Sequence, residues 1–311
     1  MNTTSGAAER FEPHRGRLFG VAYRMTGSVA DAEDCLQDAF LKWERVDLSA
    51  VDNDEAFLVR TVSRLAIDRQ RQAARRRETY VGPWLPEPLL APVSQLVNTT
   101  DPANAAELAD SLSFAFLVML DRLSASERAA FILHDVFGVP FDEIGVTLDR
   151  KPDACRQLAS RARRKLRDSA GDETTGVARP LTGSDAGDAL GALLGSLLAG
   201  DIDGCLAQLS PGVVLTSDAG PNRRAARRQV FGADRVLRLV ANLFARDIDL
   251  VTEIRPISVN GSLGLYVEHD NGPLVFSCAS DEDGRICRIW IQMNPDKITG
   301  NDARTPTDPV L

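Results

Sequence analysis

The chain has 311 residues, 26% of them charged and 44% hydrophobic, with a net charge of −8. This composition is typical of an ordinary soluble protein with two or three domains. No apolar run reaches the length of a membrane span, and the N-terminus lacks the hydrophobic core of a signal peptide, so a cytoplasmic protein without a membrane partner is expected. The five cysteines are scattered and form no CxxC pair. Reduced, mostly buried thiols are therefore expected, with no metal site and no cofactor.

Positive charge is concentrated in three short segments. Residues 60–77 hold seven arginines and one aspartate, and residues 156–167 hold five arginines and one lysine without an acid. Four more arginines stand at positions 223, 224, 227 and 228. Because the rest of the chain is acidic, this segregation of sign predicts separate surfaces for separate partners, one of them a polyanion.

Residues 8–79 are predicted to form a helical domain. One helix runs through Phe11 and Met25, a second begins at a capping box at Ser28 and ends near Trp43, and a third begins near Glu55. In the third helix one stripe carries the arginines Arg60, Arg64, Arg71 and Arg75. A solvated charged face is the simpler interpretation of such a run. Since acids do not balance these arginines, contact with a long polyanion is favoured.

Residues 80–100 are predicted to be a proline-rich linker that contains the sequence WLPEP. Proline removes backbone donors and fixes φ, so this stretch suits neither a helix interior nor a central strand. A flexible linker would need neither Trp84 nor the leucines Leu85 and Leu89. We therefore expect a stiff connector whose tryptophan docks on a surface elsewhere in the chain.

Residues 101–168 are predicted to form a second helical domain, beginning at Asp101-Pro102 and containing a capping box at Ser124 and a helix end at Gly138. A short helix over 141–148 and a second over 153–166 give a helix-turn-helix pattern. In the second helix Ala154, Leu158, Ala162 and Leu166 are expected to face inward. The opposite, basic side would lie where a recognition helix meets the major groove, although an amphipathic surface helix of a bundle is the alternative.

Beyond a linker over 169–184, residues 185–298 change pattern. Two short helices precede five runs of β-type sequence separated by turn signals such as NG, DNG and EDG. Helices followed by antiparallel strands indicate an α+β domain. The polar tail over 299–311 is expected to be disordered.

The two helical domains resemble bacterial RNA polymerase sigma factors of the extracytoplasmic-function group. DAEDCLQDAFLKW is similar to the sigma region-two helix that docks on the polymerase core, and FLVRTVSRLAIDRQRQAARR to the element that reads and melts the minus-ten box. The resemblance implies core-binding residues Asp31, Asp34, Gln37 and Asp38, and minus-ten contacts from Arg60, Arg64, Asp68, Arg71 and Arg75. It also implies that the loop over 46–55 receives the base extruded from the minus-ten strand.

The helix-turn-helix resembles sigma region four, which reads the minus-thirty-five box. Residues near the start of the second helix are placed to reach base edges, and later ones to reach phosphates. The implied contacts are Cys155, Arg156, Gln157, Ser160, Arg163, Arg164 and Arg167.

The third part resembles the SnoaL-like fold, a cone-shaped α+β barrel with a pocket. A subgroup of these sigma factors carries that domain at its C-terminus, with a tryptophan-proline motif between the sigma domains and an NPDK sequence near the end. Both motifs occur here, which implies an interdomain regulatory role for Trp84, Leu85, Pro86, Glu87, Pro88, Asn294, Pro295, Asp296 and Lys297. The subgroup's glycine-rich turn is missing, because the corresponding stretch SDAGPNRRAARRQVFGAD has a single glycine before FGAD.

Catalysis in the third domain would require a carboxylate or imidazole in a dry pocket with an oriented partner. The candidates, which no spacing links, are Asp218, Asp234, His269 and Asp270. His269 and Asp270 are explained more simply as the approach to a hairpin turn. No nucleotide-binding, zinc-protease or serine-hydrolase motif occurs, so no enzyme is predicted.

Three functions are therefore compared. The first is a sigma factor that binds core polymerase, directs it to specific promoters and is modulated by its own C-terminal domain. The second is a sigma factor fused to a catalytically active or ligand-sensing domain. The third is a free-standing repressor using the helix-turn-helix, which the acidic stripe on the second helix disfavours. Core polymerase and promoter DNA are the expected partners, with a small-molecule ligand of the third domain considered and an anti-sigma protein unknown.

Overall fold

The computed structural model describes residues 3–77, 80–93, 112–170, 179–180, 184–221, 223 and 225–298. These divide into two compact units: residues up to 77 with residues 119–166, and residues 80–118 with residues 167–298. The predicted helix start at Asp101-Pro102 and the tail over 299–311 lie outside the described residues. None of the described helices is both long and apolar enough to cross a membrane.

The first unit is built from packed helices. They are α1 (Thr3–Phe11), α2 (Arg15–Thr26), α3 (Val29–Trp43), α4 (Asp54–Arg77), the end of α5 (Phe114–Leu120), α6 (Ala125–Phe131), α7 (Phe141–Leu148) and α8 (Pro152–Ala170). The single helix predicted through Phe11 and Met25 is wrong, because a 3-10 turn over Glu12–His14 separates α1 from α2. Pro13 explains the break, since its nitrogen cannot donate a hydrogen bond inside a helix.

Two helix starts follow their sequence signals. The Ser28 hydroxyl accepts a hydrogen bond from the Asp31 backbone nitrogen at the start of α3. Ser124 and Glu127 form a reciprocal capping box at the start of α6, as predicted. The predicted helix end at Gly138 is confirmed, because a π-helical turn over Ile132–Val136 continues α6 almost to Gly138, whose φ is 67°.

The helix-turn-helix consists of α7 and α8 joined by a three-residue turn. Asp149 closes α7 in the left-handed conformation, with φ of 53°. Gly145 permits this tight return, because a Cβ there would lie 2.7 Å from the Arg150 carbonyl oxygen. The predicted bounds of α7 are confirmed, and α8 begins one residue earlier and ends four residues later than predicted.

Within the described residues of the second unit, eight strands form one sheet. They are β1 (Leu90–Ala91), β2 (Arg179–Pro180), β3 (Leu209–Asp218), β4 (Val230–Phe231), β5 (Val251–Val259), β6 (Ser262–His269), β7 (Leu274–Ser280) and β8 (Ile286–Gln292). Their order is β1-β5-β6-β7-β8-β3-β4, with β2 beside β7, and β3 pairs parallel with β8 while the other pairs are antiparallel.

Helices accompany this sheet. They are α9 (Ser184–Ala199), α10 (Ile202–Gln208), α11 (Ala233–Asp247) and α12 (Pro295–Ile298). The two predicted short helices correspond to α9 and α10, whereas α11 was missed. Its start has no side-chain cap, but the spacing of Val236, Val240 and Leu243 was a readable helical signal.

The sheet buries apolar side chains on both faces, because successive residues of a strand point to opposite sides. Ile289 and Ile291 of β8 pack with the helices α9, α10 and α11, whereas Trp290 between them belongs to a second core. In that second core Leu85 and Phe114 contribute buried side chains from residues outside the C-terminal part of the chain. The described part of the predicted linker, residues 80–93, thus contributes to the core of this unit.

Candidate functional site

The predicted minus-ten face lies along α4. Arg64, Arg71 and Arg75 are exposed and Arg60 is half-buried. Arg64 is already engaged within the first unit, because its guanidinium donates to the backbone oxygens of Val146 (2.6 Å) and Thr147 (3.2 Å) at the end of α7. The sequence predicted that no acid pairs with these arginines. That prediction is wrong for Arg71, which forms an ion pair of 3.3 Å with Asp68.

The predicted core-binding acids of α3 converge on one arginine of α4. Arg69 donates to Asp34 at 2.8 Å and to Asp38 at 3.0 Å, and Asp31 lies 3.7 Å away. Partial burial lowers the pKa of Arg69, but its hydrogen bond to Asp38 and the neighbouring charges outweigh that effect and raise it overall. Gln37 is exposed on the same helix. The acidic stripe is therefore held in place by a cation that the helical periodicity of α3 alone could not reveal.

The loop over 46–55, predicted to receive the extruded base, is tied to the N-terminal helix. Arg10 donates to the Leu48 backbone oxygen at 2.8 Å and forms an ion pair with Asp54. Asp47 caps the short 3-10 turn that follows it by accepting from the Ser49 backbone nitrogen. The role of this loop in base capture stays a prediction.

Helix α8, the predicted recognition helix, presents most of its predicted DNA contacts to solvent. Arg156, Gln157, Ser160, Arg164 and Arg167 are exposed. Arg156 stands over the Phe141 ring at 5.5 Å and forms an ion pair with Asp153. Arg163 is half-buried because it donates to Asp135 at 2.6 Å. These pairs leave the guanidinium groups on the outer face of the helix.

Cys155 is a correction to the predicted set. Its side chain is fully buried, so it cannot reach a base edge. Cys155 lies three and seven residues before the buried Leu158 and Ala162, on the inner stripe of the helix. Burial also raises the pKa of its thiol.

Helices α2, α4 and α6 pack together in the first unit through a buried arginine. Arg128 of α6 is 0% exposed and donates to the Arg24 backbone oxygen of α2 at 2.8 Å. Asp121 pairs with both Arg128 (2.9 Å) and Arg77 of α4 (3.0 Å). Burial lowers the pKa of Arg24 to about 10.

In the second unit the WLPEP stretch is bound through one buried carboxylate. Asp218, at the end of β3 and 1% exposed, accepts hydrogen bonds from the Tyr80 hydroxyl (2.6 Å), the Leu85 backbone nitrogen (2.8 Å) and the Lys297 ammonium (2.7 Å). Asn294 adds a hydrogen bond to the Tyr80 hydroxyl at 3.1 Å. We call these five residues the Asp218 cluster, and residues 80–91 the docked segment.

Lys297 connects the NPDK sequence to the tryptophan. Its ammonium donates to the Leu85 backbone oxygen at 2.6 Å and lies 4.2 Å from the centroid of the Trp84 ring. That geometry is a cation–π contact on a half-buried indole. Of the other motif residues, Pro86, Glu87 and Pro88 are buried, Pro295 is half-buried and Asp296 is exposed.

Two further residues that the sequence did not single out hold the docked segment. Gln292 donates to the Pro86 backbone oxygen at 3.1 Å. Asn260 exchanges two hydrogen bonds with the Leu89 backbone, at 2.8 and 3.0 Å. Asn260-Gly261 carried a turn signal only, so no local pattern pointed to this contact.

Gly220 is the glycine that remains in the altered turn after β3, and its conformation and surroundings explain why a glycine is needed there. Its φ is +65°, and a Cβ there would lie 2.8 Å from the Asn294 side chain. Its backbone nitrogen donates to Asp218 at 3.0 Å. A larger residue would therefore displace Asn294 from Tyr80.

Comparison with known proteins agrees with this organisation. The family models Sigma-70 region 2 and Sigma-70, region 4 match residues 10–76 and 113–166. The chain is 39% identical to the ECF RNA polymerase sigma factor SigJ of Mycobacterium tuberculosis, over 94% of each chain. It belongs to the extracytoplasmic-function sigma factors. It is also 35% identical to a probable ECF RNA polymerase sigma factor, SigI, of that species, over 96% of this chain and 97% of the relative.

The crystal structure of M. tuberculosis SigJ matches this sigma factor with a TM-score of 0.73 and 35% identity, over 96% of this chain and 100% of that chain. The predicted fold class, two helical sigma domains followed by a SnoaL-like α+β domain, is confirmed. Promoter-directed transcription initiation is the function of the protein, with polymerase core and promoter DNA as its partners.

The SnoaL-like domain of this sigma factor contains a partly open cavity of about 940 Å³. Of the four residues considered for catalysis, only His269 is among its lining residues. Asp218 binds the docked segment instead, and Asp234 and Asp270 are exposed. His269 ends β6 at a turn, as predicted, and its Nδ1 accepts from the Asn271 backbone nitrogen at 3.0 Å. The related proteins are ECF RNA polymerase sigma factors.

Proposed function

We propose that this sigma factor recognises promoters through the exposed arginines of α4 and α8 and binds polymerase core through the acidic stripe of α3. The exposure of Arg71, Arg75 and Arg164 supports phosphate contacts. The stripe around Arg69 supports a preformed acidic surface for a basic partner. Such a protein acts in the cytoplasm, where the polymerase works.

We further propose that the SnoaL-like domain is a noncatalytic regulator that acts by holding the docked segment. The observation that carries this proposal is the Asp218 cluster, in which a buried carboxylate binds two residues of the segment and the lysine of NPDK. Residues 80–112 are the covalent connection between the region-two and region-four helices. Holding or releasing part of this connection therefore changes how far the two sigma regions can separate.

The engagement of Arg64 adds to this regulatory proposal. Two of the five N–H donors of its guanidinium are occupied by the carbonyls of Val146 and Thr147, which leaves fewer of them for promoter DNA. Separation of regions two and four would free both donors for promoter contacts. We propose that release of the docked segment favours that separation.

The test compares Trp84→Ala with Trp84→Phe, which keeps an aromatic face for Lys297, and with Val81→Ala as a control in the same stretch. Val81 is 49% exposed, so its truncation should leave docking intact. We expect Trp84→Ala alone to increase protease cleavage of the segment, enlarge the protein in small-angle scattering and change transcription with core polymerase. Unchanged cleavage, dimensions and activity in Trp84→Ala would exclude the tryptophan as part of the regulator.

Ligand sensing by the SnoaL-like domain is the second candidate, and one contact favours it. Arg223 lines the cavity and donates to the backbone oxygen of Met293 at 2.8 Å. The next residue is Asn294, which belongs to the Asp218 cluster. A ligand that changes the position of Arg223 can therefore act on the docked segment through two adjacent residues.

A further inference from the structure

The cavity of the SnoaL-like domain is built for a large apolar molecule. Typical small-molecule sites measure about 300–1,000 Å³ and are lined mainly by apolar groups. Here the volume is about 940 Å³. Its walls come from α9, α11 and the inner face of the sheet, and include Leu193, Val240, Phe244, Leu265, Phe276 and Ile291.

Polar groups of this cavity are concentrated at the turn between β6 and β7. Arg223 donates to the Pro273 backbone oxygen at 3.0 Å, and its Nη1 would lie 3.7 Å from a Cβ on Gly272. His269 and Asn271 line the cavity at the same turn. Because Nδ1 of His269 accepts a hydrogen bond, the ring proton of the neutral imidazole is on Nε2, which can donate to a ligand.

The charge at this end of the cavity is positive. Arg246 and Asp247 also line it, but they neutralise each other through two hydrogen bonds of 2.6 Å. Arg223 is half-buried and donates to backbone carbonyls, with no ion pair to an acid among the described residues. Burial lowers its pKa, as expected for a cation that lacks a carboxylate nearby.

We propose that the cavity binds an apolar carboxylic acid, whose carboxylate is recognised by Arg223 with His269 as a second donor. A guanidinium matches a carboxylate in charge and hydrogen-bonding geometry, and the apolar walls enclose the remainder of the ligand. Both acyl-chain acids and fused-ring acids have this chemistry. This assignment rests on the ligand-sensing role proposed above and names the class of ligand. The experiment measures ligand binding and not transcription, so the ligand class can be wrong while the sensing role is right, and the reverse.

The experiment titrates the full-length protein with two acids and their uncharged alcohols: dodecanoate against dodecanol, and anthracene-2-carboxylate against anthracene-2-methanol. Calorimetry or anthracene fluorescence gives the dissociation constants. We expect at least one acid to bind at least about tenfold more tightly than its alcohol, the ratio expected for a hydrogen-bonded charge. The pair that shows the preference distinguishes an acyl-chain ligand from a fused-ring ligand.

Variants assign the preference to Arg223. Arg223→Met should abolish it, Arg223→Lys should retain part of it, and Arg238→Gln should leave it unchanged because Arg238 is exposed and does not line the cavity. Val240→Trp should fill the apolar end and weaken acid and alcohol alike, and circular dichroism confirms that each variant folds. Absence of binding by all four probes, equal binding of acid and alcohol, or an acid preference that survives Arg223→Met would overturn the proposal.

Discussion

Removing the charge of Asp218 should release the docked segment without unfolding the domain. Its two carboxylate oxygens accept four hydrogen bonds, from Tyr80, Leu85, Gly220 and Lys297. In Asp218→Asn one oxygen becomes an NH₂ group, which would face two donors and accept from neither. The ammonium of Lys297, whose side chain is 13% exposed, would then be left beside a neutral amide.

The size of this effect follows from the burial. Breaking one side of a buried ion pair costs about 3–5 kcal/mol, and the remaining exposure of Lys297 places this case near the lower end. If the free energy of local opening falls by about 3 kcal/mol, the population of molecules with the docked segment released rises roughly 100-fold. Hydrogen exchange followed by mass spectrometry on peptides covering residues 80–91 measures that opening directly, and a denaturant titration measures global stability.

A double-mutant cycle separates the ion pair from general damage. Lys297→Met keeps an apolar stem beside Trp84 and removes the ammonium, and Arg238→Met on the exposed side of α11 is the control for charge loss. The combined variant Asp218→Asn, Lys297→Met should open less than the sum of the single variants, because neither charge is then left unpaired. Additive effects, or exchange in Asp218→Asn within threefold of wild type, would refute the ion pair as the source of docking.

Further predictions concern DNA binding, pH and the thiols. Arg156→Ala should relax minus-thirty-five sequence preference, by about 1–3 kcal/mol if the contact is bidentate, whereas Arg164→Ala should weaken all sequences alike in a binding selection. Arg71→Ala with Arg75→Ala should lower the slope of log affinity against log salt by about one unit per lost phosphate contact, as measured by anisotropy with promoter DNA. Burial and Asp218 raise the pKa of the Tyr80 hydroxyl in the folded protein above its ordinary value of about 10. The contribution of this hydroxyl to docking is therefore complete below pH of about 10 and is lost as the pH rises through the folded-state pKa. Tyr80→Phe should remove this pH dependence when docking is followed by hydrogen exchange. All five cysteines are buried, and burial raises the thiol pKa to about 12 in two of them, so Ellman's reagent should label none in the native protein at pH 8 and all five after unfolding.

Local signals in the sequence were sufficient for the helix-turn-helix. Pro140 stands in the extended conformation just before α7, and Gly145 allows the close approach of the turn. Together with the regular apolar stripe of the second helix, these signals specify α7 and α8 within a few residues of their observed bounds. The same stripe places Cys155 inside, so its assignment to a base contact ignored the periodicity that defined the helix. Helix boundaries and buried helix faces can thus be predicted from the sequence where each helical turn contains a capping, glycine or apolar signal.

Contacts between distant segments could not be read in the same way. Asp218 was one of the candidates for catalysis because acid-base chemistry requires a carboxylate or imidazole, and the sequence alone did not show which segment this carboxylate contacts. Its donors Tyr80 and Leu85 lie more than 130 residues away in the chain. Arg69 is a similar case, since its acidic partners belong to a neighbouring helix. Only the co-occurrence of WLPEP and NPDK suggested where the segment would dock, and that came from the family resemblance.

The sheet provides a short physical connection between the cavity and the docked segment. Along β8, Ile289 and Ile291 line the cavity, whereas Gln292 binds the segment at Pro86. Along β3, Ser217 lines the cavity and its neighbour Asp218 binds the segment. Because successive strand residues point to opposite faces, a ligand that spreads these two strands must also move the groups that hold the segment. The coupling then requires a displacement across one layer of sheet, and it should disappear in Asp218→Asn, where ligand binding would persist while exchange of the segment no longer responds to it.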